Sequence, residues 1–220
     1  MSKLLSMMMS GGGDIPAQYT VVDWIQPSVG YYNNVTCYIE TNVTATEDTV
    51  SYFKMDFILY SSLTTNTSYI GNLFGSEGDN GGYSFNILTY TGNTGSGNGG
   101  EANLFGGYAA HLQTNTKMSI ELKNGVYSTS LGHSQNITFN ANKQQKGTMA
   151  IFCVRGTYYS YQANMKLYGF KLGKSENELV RDYVPVYDTV SQKYGLYDKV
   201  TQTFSTNTYN TNYPVLGGND

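Results

Sequence analysis

Apolar and polar side chains alternate with a period of two along much of the chain, in runs of about four to twelve residues. In Asn34–Thr41, Val35, Cys37 and Ile39 fall on one face and Thr36, Tyr38 and Glu40 on the other. In Thr49–Tyr60, Phe53, Met55, Phe57 and Leu59 face one way, and Tyr52, Lys54, Asp56 and Ile58 the other. Such alternation marks a strand with one buried face. Aromatic- and β-branched-rich runs between turns predict further strands over Tyr19–Ile25, Tyr69–Gly75, Tyr83–Tyr90, Leu104–His111, Lys117–Lys123, Val126–Ser130, Met165–Leu172, Leu179–Tyr187 and Gly195–Tyr197, with a last one near Thr203–Phe204. Gly147–Arg155 is the most apolar run and is expected at the centre of a sheet. Only about 175–182 has helical character.

Turn chemistry separates these runs. Pro27 and Gly30 place a turn at Gln26–Gly30, because both residues fit a strand interior poorly. Asn124-Gly125 lies between two alternating runs, and a type I′ hairpin turn needs positive φ at both of its central positions. Asn93–Gly100 is too poor in apolar side chains to pack a core. The expected fold class is all-β: a two-sheet antiparallel jelly-roll sandwich formed by residues 17–220. Residues 1–16 form a short N-terminal extension, an apolar tag on a Gly-rich hinge.

Composition agrees with strands. The chain has 21 Tyr, 9 Phe and 25 Gly, so aromatic residues for pleated surfaces and glycine for turns are both plentiful. Charge is low and unevenly spread. Residues 1–116 hold nine acids and two bases, a balance of −7, and residues 117–220 hold eleven bases and seven acids, a balance of +4. The bases are dispersed and form no Lys/Arg run, so a nucleic-acid partner is not expected. Cys37 and Cys153 each sit in an apolar run and read as buried thiols, with a disulfide left open.

Two stretches carry a resemblance. In YTVVDWIQPSVGYYNN, residues Tyr19, Val22, Asp23, Ile25, Ser28, Gly30 and Tyr32 fit the pattern Y-T-x-V-E-Y-I-x-S-x-G-x-Q-Y-I. Near the other end, Leu179–Pro185 and Gly195–Asn207 fit (L/V)-R-D-(F/Y)-V-P followed by G-L-Y-D-x-V-x-x-x-F-x-T-N. The chain thereby resembles the concanavalin A-like lectin/glucanase (laminin-G-like) jelly-roll domains of gut bacteria and their phages. About residues 40–150 match only in style. The resemblance implies the sandwich fold and names no ligand. Arg181 beside Asp182 reads as a pair that pins the last strands.

Catalytic constellations are not legible. A glycosidase needs two carboxylates flanking the scissile bond. Glu47-Asp48 are adjacent, Glu77 and Asp79 lie in the loop SEGDNGG, and Glu176 and Glu178 flank Asn177 in an expected helical turn. His111 and His133 accompany no G-x-S-x-G elbow, and no zinc spacing is present. No catalytic residue, metal or cofactor is therefore expected. For Ca²⁺, Glu77, Asp79 and Asn80 offer oxygens without a D-x-D-x-D framework, so the loop reads as solvated. The four N-x-S/T triplets, at Asn34, Asn42, Asn66 and Asn136, follow from the composition.

Two features point to binding. The loop Gly156–Gln162 places Tyr158, Tyr159 and Tyr161 beside Gln162, an aromatic platform next to a hydrogen-bonding amide that suits a pyranose. Tyr31 and Tyr32 beside Asn33 and Asn34 form a second such cluster. At the N-terminus, Leu4, Leu5, Met7, Met8 and Met9 form a short apolar run ended by Ser10 and three glycines, too short to span a bilayer. It reads as a docking tail rather than a signal peptide, each buried side chain contributing roughly 1.5–3 kcal/mol.

The expected function is a non-enzymatic phage virion surface protein, a head-decoration, fibre or adhesion module attached by this tail and binding host or mucosal glycans. Its expected partners are other virion proteins or copies of itself, in a homo-oligomer or larger assembly, with no membrane. The alternative is a secreted or cell-surface bacterial carbohydrate-binding or adhesion module, and a glycoside hydrolase ranks last.

Overall fold

A computed structural model describes residues 13–28, 37–46, 49–60, 69–77, 83–90, 100–104, 112–137, 147–153 and 162–220. The alternating runs form strands, and the described residues contain no helix. In chain order the strands are β1 (Tyr19–Val21), β2 (Trp24–Pro27), β3 (Ile39–Glu40), β4 (Tyr52–Leu59), β5 (Tyr69–Glu77), β6 (Tyr83–Tyr90), β7 (Gly100–Leu104) and β8 (Lys117–Lys123). They continue as β9 (Val126–Thr129), β10 (Ser134–Asn136), β11 (Ala150–Ile151), β12 (Met165–Ser175), β13 (Glu178–Asp188), β14 (Lys193–Asp198), β15 (Thr203–Ser205) and β16 (Val215–Gly218).

Two antiparallel sheets result. The large one runs β10-β9-β8-β4-β12-β13-β14-β15, with β1 on β13, and β2 joining β12 to β16. The small one runs β3-β11-β5-β6-β7. Their facing sides form the core of a β-sandwich. Phe74 of β5 lies 5.2 Å from Phe53 of β4 and 4.8 Å from Phe170 of β12, ring centre to ring centre, so one aromatic side chain ties the sheets together. Phe170 in turn stacks on Tyr183 of β13. All four rings are buried.

Several elements depart from the sequence expectation. The helical character expected over 175–182 is absent. Glu176 and Asn177 form the turn between β12 and β13, and two long paired strands outweigh the local preference. The predicted strand Tyr19–Ile25 is two strands: β1 pairs with Val186–Asp188 of β13, and β2 pairs with β12 and β16. Gln26 and Pro27 belong to β2 rather than to a turn. Pro27 is its last residue, and the Ser28 N–H donates to Pro214 O at 3.1 Å in its place. Among the described residues 147–153, only Ala150–Ile151 belong to a strand, and Phe152 beyond them takes a left-handed φ of 75°.

The hairpin at Asn124-Gly125 forms as expected, with φ of 52° and 73°. Two further hairpins share one design. Asp188 accepts hydrogen bonds from the N–H groups of Val190 and Ser191 and from Ser191 Oγ. Asp198 accepts from the Val200 N–H and from Thr201 Oγ1. Gln192 and Gln202 close the turns at φ of 56° each. The matching strings are Tyr187-Asp-Thr-Val-Ser-Gln192 and Tyr197-Asp-Lys-Val-Thr-Gln202. An Asp that bonds its own backbone two residues on is a turn-forming device.

Candidate binding groove on the open face of the large sheet

One face of β4, β8 and β12 enters the core, through Phe53, Met55 and Phe57, through Met118, Ile120 and Leu122, and through Leu167, Phe170 and Leu172. Period-two alternation turns their neighbours outward. There they form a groove of about 630 Å³, lined among others by Tyr52, Lys54, Asp56, Glu121, Lys171 and Asp182.

Register places four charges in one row across four strands. Glu121 of β8 lies opposite Lys54 of β4, Lys54 opposite Lys171 of β12, and Lys171 opposite Asp182 of β13. A bulge in β12 shapes the floor. Leu167 pairs with Phe57 and Gly169 with Asp56, so Tyr168 is the extra residue. Bulges re-aim side chains, and Tyr168 is held where it points. Its hydroxyl donates to Asp220 Oδ2 at 2.7 Å, and Lys117 Nζ lies 3.6 Å from its ring centre. Burial, then the Asp220 carboxylate, pushes the phenol's ionisation well above its ordinary range. At the other end, burial and then Glu121 push the Tyr52 phenol up to about 12.

The groove's acids differ in their partners. Ser119 Oγ donates to Asp56 Oδ1. Glu176 pairs with Lys123 at 2.6 Å. Asp182 Oδ2 pairs with Lys199 at 3.0 Å, while Lys171 Nζ stands 3.7 Å from Oδ1. Asp182 Oδ1 is buried and accepts no hydrogen bond, although the side chain is only 7% exposed. Arg181 pairs with Asp198 at 3.5 Å rather than with its neighbour Asp182, because consecutive strand residues face opposite ways.

Of the site residues expected from sequence, only Gln162 is among the described residues. Tyr158, Tyr159 and Tyr161 lie outside the described residues, as do Tyr31, Tyr32, Asp79, Asn80 and His111. Gln162 is buried, and its Oε1 accepts the Cys37 N–H at 3.0 Å. The tail side chains Leu4, Leu5, Met7, Met8 and Met9 also lie outside, but the point where the tail joins the sandwich is described. The Gly13 N–H donates to Lys199 O at 3.3 Å, and Gly13 lies against the Gln202 side chain. The tail therefore meets the sandwich at the β14–β15 hairpin, whose Lys199 also lines the groove.

His133 sits beside the Tyr127 ring. Cys37 and Cys153 are buried and not joined by a disulfide. Among the described residues, no three His, Cys, Asp or Glu side chains gather as a metal site. The polar stripe Tyr52, Lys54, Asp56 was legible in the alternation of β4. Its neighbours from β8, β12 and β13 were not, since strand partners are chosen by the whole fold. No family model, curated protein or solved structure matches the chain.

Proposed function

We propose that this chain is a non-enzymatic surface module of a phage virion, a decoration, fibre or adhesion protein attached by its N-terminal tail and presenting a glycan-binding sandwich. The observation that carries the reading is the joining of an apolar tag to a β-sandwich at one defined place, Gly13 on the β14–β15 hairpin. The laminin-G-like stretches Tyr19–Tyr32 and Leu179–Asn207 support the assignment to the gut bacterial and phage class. In this reading Leu4, Leu5, Met7, Met8 and Met9 dock on other virion proteins or on copies of the chain, and Tyr158, Tyr159 and Tyr161 contact sugar, while the buried Gln162 holds Cys37 rather than ligand.

Mass spectrometry of purified virions tests it. The chain is expected in the particle, and deletion of residues 1–13 is expected to abolish its incorporation. Absence of the chain from particles overturns the reading. A second reading, a secreted or cell-surface adhesion module, is favoured by the open polar groove, which serves binding without a virion. Recovery of the chain on bacterial surfaces rather than in particles selects it.

A further inference from the structure

We propose that the groove on the large sheet binds an acidic polyhydroxyl chain, its anionic group seated between Lys54 and Lys171 while a hydroxyl beside that group donates to Asp182 Oδ1. The inference rests on the glycan-binding reading and gives the ligand a place and a charge.

The first observation is the lysine pair. Lys54 and Lys171 are directly opposite on adjacent strands. Side chains so placed have Cβ atoms about 4.5–5.5 Å apart, and like charges there repel. Lys171 has one long ion pair, to Asp182, and Lys54 has none among the described residues, although Glu121 is its partner on the other side. Lys171 stands 3.7 Å from Asp182, a carboxylate that Lys199 already holds at 3.0 Å. An anion between the two ammonium groups converts a repulsive pair into a clamp.

The second observation is independent. Asp182 lines the same groove, and its Oδ1 is buried and accepts no hydrogen bond. A buried acceptor without a donor is uncommon and costly. A hydroxyl supplies the missing donor, and Lys171 lies next to that oxygen. Anion and hydroxyl must therefore be close together on one ligand. Uronic acid units and polyol phosphodiesters both have this arrangement.

The remaining lining narrows the class. Asp56, Glu121 and Glu176 flank the lysines. They disfavour a densely charged polymer such as a nucleic acid and accommodate anions spaced by hydroxyls. Gly169 leaves the floor low, since a Cβ there would meet only Tyr183 O at 3.7 Å. The ring of Tyr168 already carries Lys117 on one face, so at most its other face is left for a sugar ring.

The test uses the full chain and three probes: tetragalacturonate, a short poly(glycerol phosphate) and neutral galactotetraose. Binding is measured by titration calorimetry at low and at high salt. One or both acidic probes are expected to bind, and the one that does identifies carboxylate or phosphodiester as the anion. Binding is expected to weaken with salt. The double variant K54Q/K171Q is expected to lose about tenfold or more, and K193Q, remote from the row, to bind as the parent does. D182N is expected to weaken binding of the same probe. The melting temperature of K54Q/K171Q alone is expected to stay close to the parent's, because the repulsion removed offsets the long Lys171–Asp182 pair lost with it. Galactotetraose binding as tightly as the acidic probes overturns the acidic inference and leaves the glycan reading standing. Acidic-probe binding untouched by K54Q/K171Q overturns the groove as its site and also leaves that reading standing. A sharp fall in melting temperature makes the lysines structural and overturns the proposal. No binding of any probe overturns both.

Discussion

Asp198 Oδ1 accepts the backbone N–H of Asp182 at 2.9 Å, so a carboxylate from β14 fixes the place in β13 where the groove's buried acid begins. The same carboxylate takes the Val200 N–H and the Thr201 hydroxyl and pairs with Arg181. It is almost fully buried, so every partner depends on it. Asp198→Ala should cost about 3 kcal/mol, because several donors and one cation lose their acceptor together. Urea denaturation of parent and variant measures it. A loss below about 1 kcal/mol would show that water replaces the carboxylate.

Phe74 bridges Phe53 and Phe170 across the sandwich. Phe74→Ala should cost about 3–5 kcal/mol, combining lost transfer energy with a cavity between the sheets. Phe74→Leu should cost less, since much of the volume stays. Thermal denaturation followed by circular dichroism ranks the two variants.

Gly195 of β14 has no room for a side chain. A Cβ there would run into Ser205 O and the Phe204 ring of β15. Gly195→Ala should cost about 1–3 kcal/mol and loosen the β14–β15 ladder. Hydrogen exchange should quicken first at Thr203–Ser205, and uniform quickening across the sheet would contradict this local origin.

Asp188 provides an acid-side signature. Hydrogen bonds from Ser191, followed by the Val190 and Ser191 N–H groups, lower its ionisation from the ordinary 3.8. A carboxylate lowered in the folded state adds stability above its unfolded value, and that stability is lost as pH falls through the lower folded value. Melting temperature should therefore drop below about pH 4, with a shallower drop in Asp188→Asn. Equal slopes in the two proteins would remove Asp188 from the account.

Cys37 provides an alkaline one. Burial raises its thiol from 9.0 to about 12. Its contribution is intact below pH 9 and is lost as pH rises toward 12, because the unfolded thiol ionises first. A maleimide should leave Cys37 and Cys153 unlabelled in the native protein at pH 8 and label both in urea, read by intact mass. Rapid native labelling would show that this region opens.

Strand by strand, the sequence determined much of the fold. Phe53, Met55, Phe57 and Leu59 enter the core and Lys54 and Asp56 leave it because alternation is a local property of the chain. Asn124-Gly125 encodes its own turn for the same reason. The tandem Asp-x-Val-(Ser/Thr)-Gln hairpins, which the strand pattern does not single out, also rest on a local mechanism, an Asp accepting the backbone N–H two residues on.

Only the tertiary structure decided which strands stand side by side. Glu121, Lys54, Lys171 and Asp182 are scattered along the chain yet form one row. Their adjacency depends on sheet order, which the shared core around Phe53, Phe74 and Phe170 selects and no single segment encodes. The same holds for Gln162, whose amide meets Cys37 from 125 residues away. It also holds for the bulge that aims Tyr168, which exists only because β4 and β12 pair on either side of it.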